Sequence, residues 1–179
     1  MSPNYLLPKR SERLITRLLT SNDVEALVEL FQDAHYTRFL PFQALSSPEE
    51  KAAYFLTRQL TRYQEGTFGL HALIDLQTQR FVGTCGLLKH TIEGKDETET
   101  GYHLFKDCQG KGYATEAVQL FLNFGFTETS ANTIIALIDP NNHTSRAVAH
   151  RCGFIEEKLI TIERETLLIH RLHKNKFLP

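Results

Sequence analysis

Two strand-length apolar runs, residues 68–75 and 81–89, are separated by only five residues, Leu76-Gln77-Thr78-Gln79-Arg80. A link that short joins neighbouring strands as an antiparallel hairpin, since a parallel crossover needs roughly a dozen residues. A third run, 97–106, follows the polar loop Ile92-Glu93-Gly94-Lys95-Asp96. From there the periodicity changes. Apolar positions Ala114, Ala117, Val118, Phe121, Phe124 and Gly125 keep helical spacing; residues 132–138 read as a strand and 143–152 as a short helix. A hairpin of 154–162 with 165–170 ends the pattern. Upstream, residues 13–19 read as an opening strand, and Thr20-Ser21-Asn22-Asp23 as a helix start. Ser47-Pro48-Glu49-Glu50 is a capped helix entry, and that helix runs to about Glu65, stopping at Gly66. Antiparallel strands followed by strand–helix–strand–helix–strand predict an α+β fold: a mixed, mostly antiparallel central sheet flanked by helices, rather than a doubly wound α/β chain. With 179 residues, one domain over 1–179 is expected.

Composition narrows the function classes. Lys plus Arg total 20 against 21 for Asp plus Glu, so the chain lacks the strong basic field of a nucleic-acid-binding surface, and no nucleic-acid partner is expected. No apolar run approaches about 18 residues, so no membrane span is expected, and the amino-terminal stretch lacks the apolar core of a signal peptide. Cys85, Cys108 and Cys152 form no C-x-x-C pair, which points to a reducing, cytoplasmic setting. The eight histidines are scattered, so no metal site is expected.

The stretch with most chemical content is Gln109-Gly110-Lys111-Gly112-Tyr113-Ala114-Thr115, between a strand and a long helix. Two glycines let the backbone approach a ligand closely, and the first N–H groups of a helix have no partner within it. Such a turn suits an anion, and Lys111 adds positive charge. The competing reading is a glycine-rich turn without a ligand. Neither G-x-x-x-x-G-K-[ST] nor G-x-G-x-x-G is present, which disfavours nucleotide hydrolysis and dinucleotide binding.

These residues resemble the acyl-CoA pyrophosphate loop, Q/R-x-x-G-x-G/A, of the GCN5-related N-acetyltransferases, matched here by Gln109, Gly112 and Ala114. The likeness tightens toward the RimJ/RimL-like ribosomal-protein acetyltransferases. Ser11 to Arg17 is similar to that branch's opening strand, Glu99-Thr100-Gly101-Tyr102 to its E-I-G-Y, and Gly112-Tyr113-Ala114-Thr115-Glu116-Ala117 to its G-Y-A-T-E-A. Asn142-His143-Thr144-Ser145 resembles its N-x-x-S, and Gly153-Phe154 its closing G-F. Cys108 stands where the branch has a large aromatic, Lys106-Asp107 where it often has proline, and Thr100 where it has an apolar residue.

The resemblance implies an N-acetyltransferase with acetyl-CoA as acyl donor and no metal. The backbone amides of Gly110, Lys111, Gly112, Tyr113, Ala114 and Thr115, beside Gln109, would cradle the pyrophosphate. Tyr102, His103 and Leu104 would pair their backbone with the pantetheine arm, in a sheet that splays at this strand, with a β-bulge expected near them. Asn142 would bond the pantetheine, unless it is simply a helix cap. Ser145 would protonate the leaving thiolate. The acceptor would be a protein N-terminal α-amine or a small-molecule amine, and the protein a monomer or homodimer.

Acyl transfer needs a neutral amine. An α-amine has a pKa near 7.7–8.0 and lysine one near 10.4, so deprotonating lysine costs roughly 3.5 kcal/mol more. Glu99 is the candidate base, because strand alternation puts Glu97, Glu99, Gly101 and His103 on one face; its competing reading is a solvated strand carboxylate. His103 is a weaker candidate, and Cys108 a weaker one still for a nucleophile. Residues 35–42, with Tyr36, Phe39 and Phe42, the second helix and the final hairpin are the expected acceptor-recognition elements. Glu93, Asp96, Glu97 and Glu99 could draw in a cationic amine. The alternative class is a non-catalytic acyl-CoA-binding or sensing module.

Overall fold

The computed structural model describes residues 3–33, 37, 39, 45–162 and 165–177. Among them, seven strands form one sheet in the order β1-β2-β3-β4-β5-β7-β6. Strands β1 (Leu14–Arg17), β2 (Leu70–Asp75), β3 (Phe81–Ile92) and β4 (Lys95–Leu104) pair antiparallel, each with the next. β5 (Thr133–Ile138) lies parallel to β4. β6 (Ile155–Ile162) and β7 (Glu165–His173) form the closing hairpin, with β7 against β5. Helices α1 (Val24–Gln32), α2 (Pro48–Gln64), α3 (Tyr113–Glu128) and α4 (His143–Arg151) flank it. The mixed, mostly antiparallel α+β architecture is the one the strand order predicts.

Local chemistry sets the elements. Ser47 caps α2 by accepting from the Glu50 N–H, and the Glu50 carboxylate reaches back to Ser47, with Pro48 at the first helical position. The β3–β4 connection departs from the predicted polar loop. Glu93 (φ 50°) and Gly94 (φ 76°) form a two-residue turn with both residues left-handed, so the two strands run straight into it.

β3 and β4 pair without interruption from Gly83–Leu104 to Ile92–Lys95. The β-bulge expected near Tyr102–Leu104 is therefore absent. An irregularity lies instead between β2 and β3, at Leu73/Ile74. There Gly83 (φ 150°) approaches β4 so closely that a Cβ would sit 2.1 Å from the His103 carbonyl oxygen. The splay comes from β5 leaving β4, not from β4 bending: the two strands share one register position, Glu99–Ile135.

The strand alternation sorts the helices. Leu87 and Tyr102 point to the α3 and α4 side, where α3 buries Ala117, Val118, Phe121 and Leu122. Glu99, Gly101 and His103 point to the opposite side, where the His103 ring meets Phe55 of α2 edge-on at 5.8 Å. Tyr5, fully buried, reaches the sheet from the amino-terminal turn. Its hydroxyl donates to the Gly69 carbonyl at 2.6 Å and accepts from the Leu87 N–H at 2.6 Å, joining β3 to the approach to β2 where direct pairing stops at Leu70–Gly86.

His71 is fully buried among the rings of Tyr5, Tyr63 and Phe121, and among the described residues neither ring nitrogen has a hydrogen-bond partner. Burial, helped by the charge of Lys9, pushes its pKa down to about 3. The folded protein thus keeps His71 neutral while the unfolded chain takes up a proton below about pH 6.5, so the cost appears as pH falls through 6.5 and grows toward 3. Between pH 6.5 and 5 this one residue should remove about 2 kcal/mol of stability, at 1.36 kcal/mol per pH unit. Urea unfolding of the protein and of His71→Leu at both pH values checks it: the variant should lose about that much less.

Candidate active site

Where β4 and β5 part, a cleft of about 1170 Å³ opens. Its walls come from both sides of the sheet: Tyr54, Arg58 and Arg62 of α2 on one, the starts of α3 and α4 on the other, and β4 from Glu99 to Leu104 between them. Of the residues singled out from sequence, Glu99, Tyr102, His103, Leu104, Gln109, Gly110, Gly112, Tyr113, Ala114, Thr115, Asn142 and Ser145 line this one cleft. Lys111 does not.

The turn before α3 is built to expose its amides. After the 3₁₀ turn Lys106–Cys108, Gly110 (φ 72°) and Gly112 (φ 84°) adopt left-handed conformations, and Gly112 carries the helix start without a side-chain cap. Among the described residues, none accepts from the N–H groups of 110–115; the first intrahelical bond there is Glu116 N–H to the Gly112 carbonyl. The turn is held from behind. Arg13 donates to the Lys111 carbonyl (2.9 Å) and pairs with Glu116 (2.7 Å), which also accepts from Ser11 Oγ and the Arg13 N–H, each at 2.7 Å. Tyr113 donates its hydroxyl to Asp75 Oδ2 at 2.6 Å. That bond, with those from Thr78 and Gln77, holds the Asp75 carboxyl down at about 2. Gln109 points its amide inward to the Leu104 carbonyl, 3.2 Å away.

At the start of α4, Asn142 is the helix cap, its Oδ1 accepting from the Ser145 N–H at 3.1 Å. Ser145 Oγ lies 2.6 Å from the Tyr102 hydroxyl, which also reaches the Ser145 carbonyl at 3.0 Å. Burial pushes the Tyr102 phenol well above its ordinary pKa, so it stays protonated. This pairing of phenol and serine was not predicted; sequence reading used only the Tyr102 backbone.

On the α2 side, Glu99 Oε2 lies 2.6 Å from His90 Nε2, and the Glu99 side chain is 13% exposed. It is thus a paired, mostly covered carboxylate, not a solvated one. The acidic cluster proposed from sequence does not act together. Glu97 is held by Arg171 at 2.9 Å, Glu93 by Lys158 at 2.5 Å, and Asp96 accepts from Thr91 Oγ at 3.0 Å; of the four, only Glu99 lines the cleft. Burial lowers the His103 pKa to about 4. Cys108 is buried and outside the cleft lining, with burial raising its thiol pKa, which removes it as a nucleophile. Phe39 and the final hairpin's Ile162 and Leu167 line the cleft as expected, while Tyr36 and Phe42 fall outside the described residues. Arg58, Arg62 and His90 were missed, although Tyr54, Arg58 and Arg62 recur every four residues and so share one helix face.

The family model for the acetyltransferase (GNAT) domain matches residues 13–155. The chain belongs to the GNAT family. This N-acetyltransferase is 29% identical to the uncharacterised N-acetyltransferase p20 of Bacillus licheniformis over 84% of its own length and 83% of that protein's. It is 26% identical to YdaF of Bacillus subtilis, provisionally named a ribosomal N-acetyltransferase, over 92% of its length and 88% of YdaF's. In three dimensions it superposes on Mycobacterium smegmatis RimJ, solved in complex with CoA-disulfide, with a TM-score of 0.83 over 100% of this chain and 93% of that one, at 19% identity. The fold is therefore that of the RimJ/RimL-like acetyltransferases. No helix among the described residues is long and apolar enough to cross a membrane, and no group of three or more potential metal ligands occurs among them.

Because Tyr113 and Asp75 brace the turn without facing a ligand's reacting end, Tyr113→Phe should raise the KM for acetyl-CoA several-fold, about what one charge-assisted hydrogen bond contributes, and leave kcat within about twofold. Steady-state kinetics with saturating amine, alongside a melting curve to establish folding, measures it.

Proposed function

We propose that this N-acetyltransferase transfers the acetyl group of acetyl-CoA to a primary amine by direct attack. The acceptor is a protein N-terminal α-amine or a small-molecule amine. The observation that carries this reading is the run of N–H groups at 110–115 with no acceptor among the described residues, in a cleft that Glu99 also lines. A helix start presenting several amides suits a doubly charged pyrophosphate. The likeness to YdaF and RimJ supports the branch and the amine chemistry.

Bound acetyl-CoA supplies the thioester that the amine attacks. In this assignment the amides of Gly110, Lys111, Gly112, Tyr113, Ala114 and Thr115 hold the pyrophosphate, beside Gln109. The backbone of Tyr102, His103 and Leu104 aligns the pantetheine where β5 has diverged. Asn142, whose Oδ1 is spent on the helix cap, keeps its NH2 group to donate to the same arm. Glu99 takes the amine proton, directly or through one water. Ser145 donates a proton to the departing thiolate, and Tyr102, held neutral beside it, orients and replenishes that hydroxyl. The homologues of known structure lend the fold, while the proton path rests on these side chains alone.

Calorimetric titration should give micromolar binding of acetyl-CoA and none of ATP, which shares anionic charge but not the pantetheine; a folded sample that ignores acetyl-CoA would remove the cofactor assignment. Glu99→Gln should leave that affinity unchanged and lower kcat by about 10²–10⁴-fold at pH 7, the usual worth of a general base. The deficit should shrink as pH rises above the acceptor amine's pKa, where no base is needed. Unchanged turnover in this variant would exclude Glu99 as the base.

A further inference from the structure

The α2 wall of the cleft carries two arginines with no carboxylate partner among the described residues. Arg58 and Arg62 lie one turn apart on the stripe that begins at Tyr54, and all three line the cleft on the same side of the sheet as Glu99. Arg58 donates to the Tyr54 hydroxyl at 3.1 Å, and its guanidinium lies 5.5 Å from that ring's centre. Arg62 is half-buried, and among the described residues its one hydrogen bond is a long one of 3.4 Å to Gln59 Oε1, an oxygen already accepting from the Leu70 N–H at 2.9 Å. Glu99 and Asp139 also line the cleft, and among the described residues neither forms an ion pair with either arginine. Burial, and next the neighbouring Arg58 charge, lower the Arg62 pKa, while Glu99 acts in the opposite sense.

Withdrawing a guanidinium from water without a carboxylate is unfavourable, and a second cation four residues away adds repulsion. Several charged side chains around the sheet's β6–β7 end are ion-paired: Arg171 with Glu97 and Glu157, Arg146 with Glu156, Lys158 with Glu93. One exposed and one half-buried guanidinium lining the cleft, neither with a carboxylate partner among the described residues and both on the side of the candidate base, form a binding feature for planar anionic oxygens.

We infer that the acceptor is a primary amine that also carries a carboxylate, with Arg58 and Arg62 holding the carboxylate while the amine lies toward Glu99. The inference rests on the proposed acetyl transfer and narrows its substrate class, away from the purely cationic amine that an acidic cluster would have attracted. A free amino acid and the acidic amino-terminal segment of a peptide both offer this chemistry.

The test uses the full-length protein, acetyl-CoA and matched acceptors: the twenty common L-amino acids against their amides, and pentapeptide amides with Glu or Gln at the second position. Thiol release and product mass are read for the wild type, Arg58→Ala/Arg62→Ala and Arg62→Lys. Because an amide changes the amine's own pKa, the decisive quantity is the acid-to-amide ratio of kcat/KM in wild type divided by that in the double variant. It should be about tenfold or more in one series, carried by KM, with Arg62→Lys intermediate. Preference in the first series identifies an amino-acid acceptor, and preference in the second an acidic peptide. A ratio near one in both series overturns the inference and leaves acetyl transfer standing. Calorimetry of the N-acetylated acids and amides against the CoA-saturated protein separates the two claims. If no amine turns over but the acids bind more tightly than the amides and the double variant abolishes the difference, the anion site holds and the transfer reading fails. Equal binding of both overturns the site as well.

Discussion

β4 and β5 meet at one register position, Glu99 against Ile135, and most of what is functional here follows from how little they share. A parallel neighbour that paired along its whole length would consume the backbone groups of β4 and close the sheet. Here it diverges, so β4 is bonded on its β3 side throughout and left open on the other toward Leu104. The gap joins the two faces of the sheet. Because side chains alternate, residues one apart on β4 serve different chemistry: Glu99 and His103 look toward α2, Tyr102 toward α4. In the proposed assignment, one strand thus addresses donor and acceptor from opposite sides.

The turn before α3 is rigid for reasons that lie outside it. A left-handed pair of glycines could occupy many conformations, and glycine loses more freedom on folding than other residues. Arg13, Glu116, Tyr113 and Asp75 fix the conformation in which the amides are exposed, through bonds to the outer side of the turn. The ligand-facing side is left entirely to the backbone. Such a site tolerates variation in side chains around it as long as the bracing residues and the two glycines persist. This fits a turn where Lys111, the one charged residue within it, does not reach the cleft.

The element order and the mixed sheet were legible because hairpin spacing and helical periodicity are local signals, and Ser47-Pro48-Glu49-Glu50 marks its helix by capping chemistry alone. The β3–β4 turn was misread since Glu93 gives no sign of a left-handed residue, which Asn or Asp would have. The expected bulge failed because divergence of β5 achieves the same opening without disturbing β4, and divergence is a property of two strands distant in sequence. The glycine turn before α3 and twelve residues that line the cleft could be named from their motifs, while Arg58, Arg62 and His90 could not. The ion pairs could not: Glu97 to Arg171 and Glu93 to Lys158 bridge 74 and 65 positions, and only the fold reveals that these carboxylates are already satisfied. The stripe of Tyr54, Arg58 and Arg62 was visible as a helix face, but not which way that face looked.

Tyr5 gives the amino terminus a part in the timing of assembly. Its hydroxyl bonds groups 64 and 82 residues further along, and Ser11 reaches a partner 105 residues away. During synthesis the segment before β1 must therefore wait until β2, β3 and α3 have emerged before these contacts exist. A bulky extension fused directly at Pro3 would press on those contacts more than one attached at the other end, where Lys174–Lys176 remains at the surface.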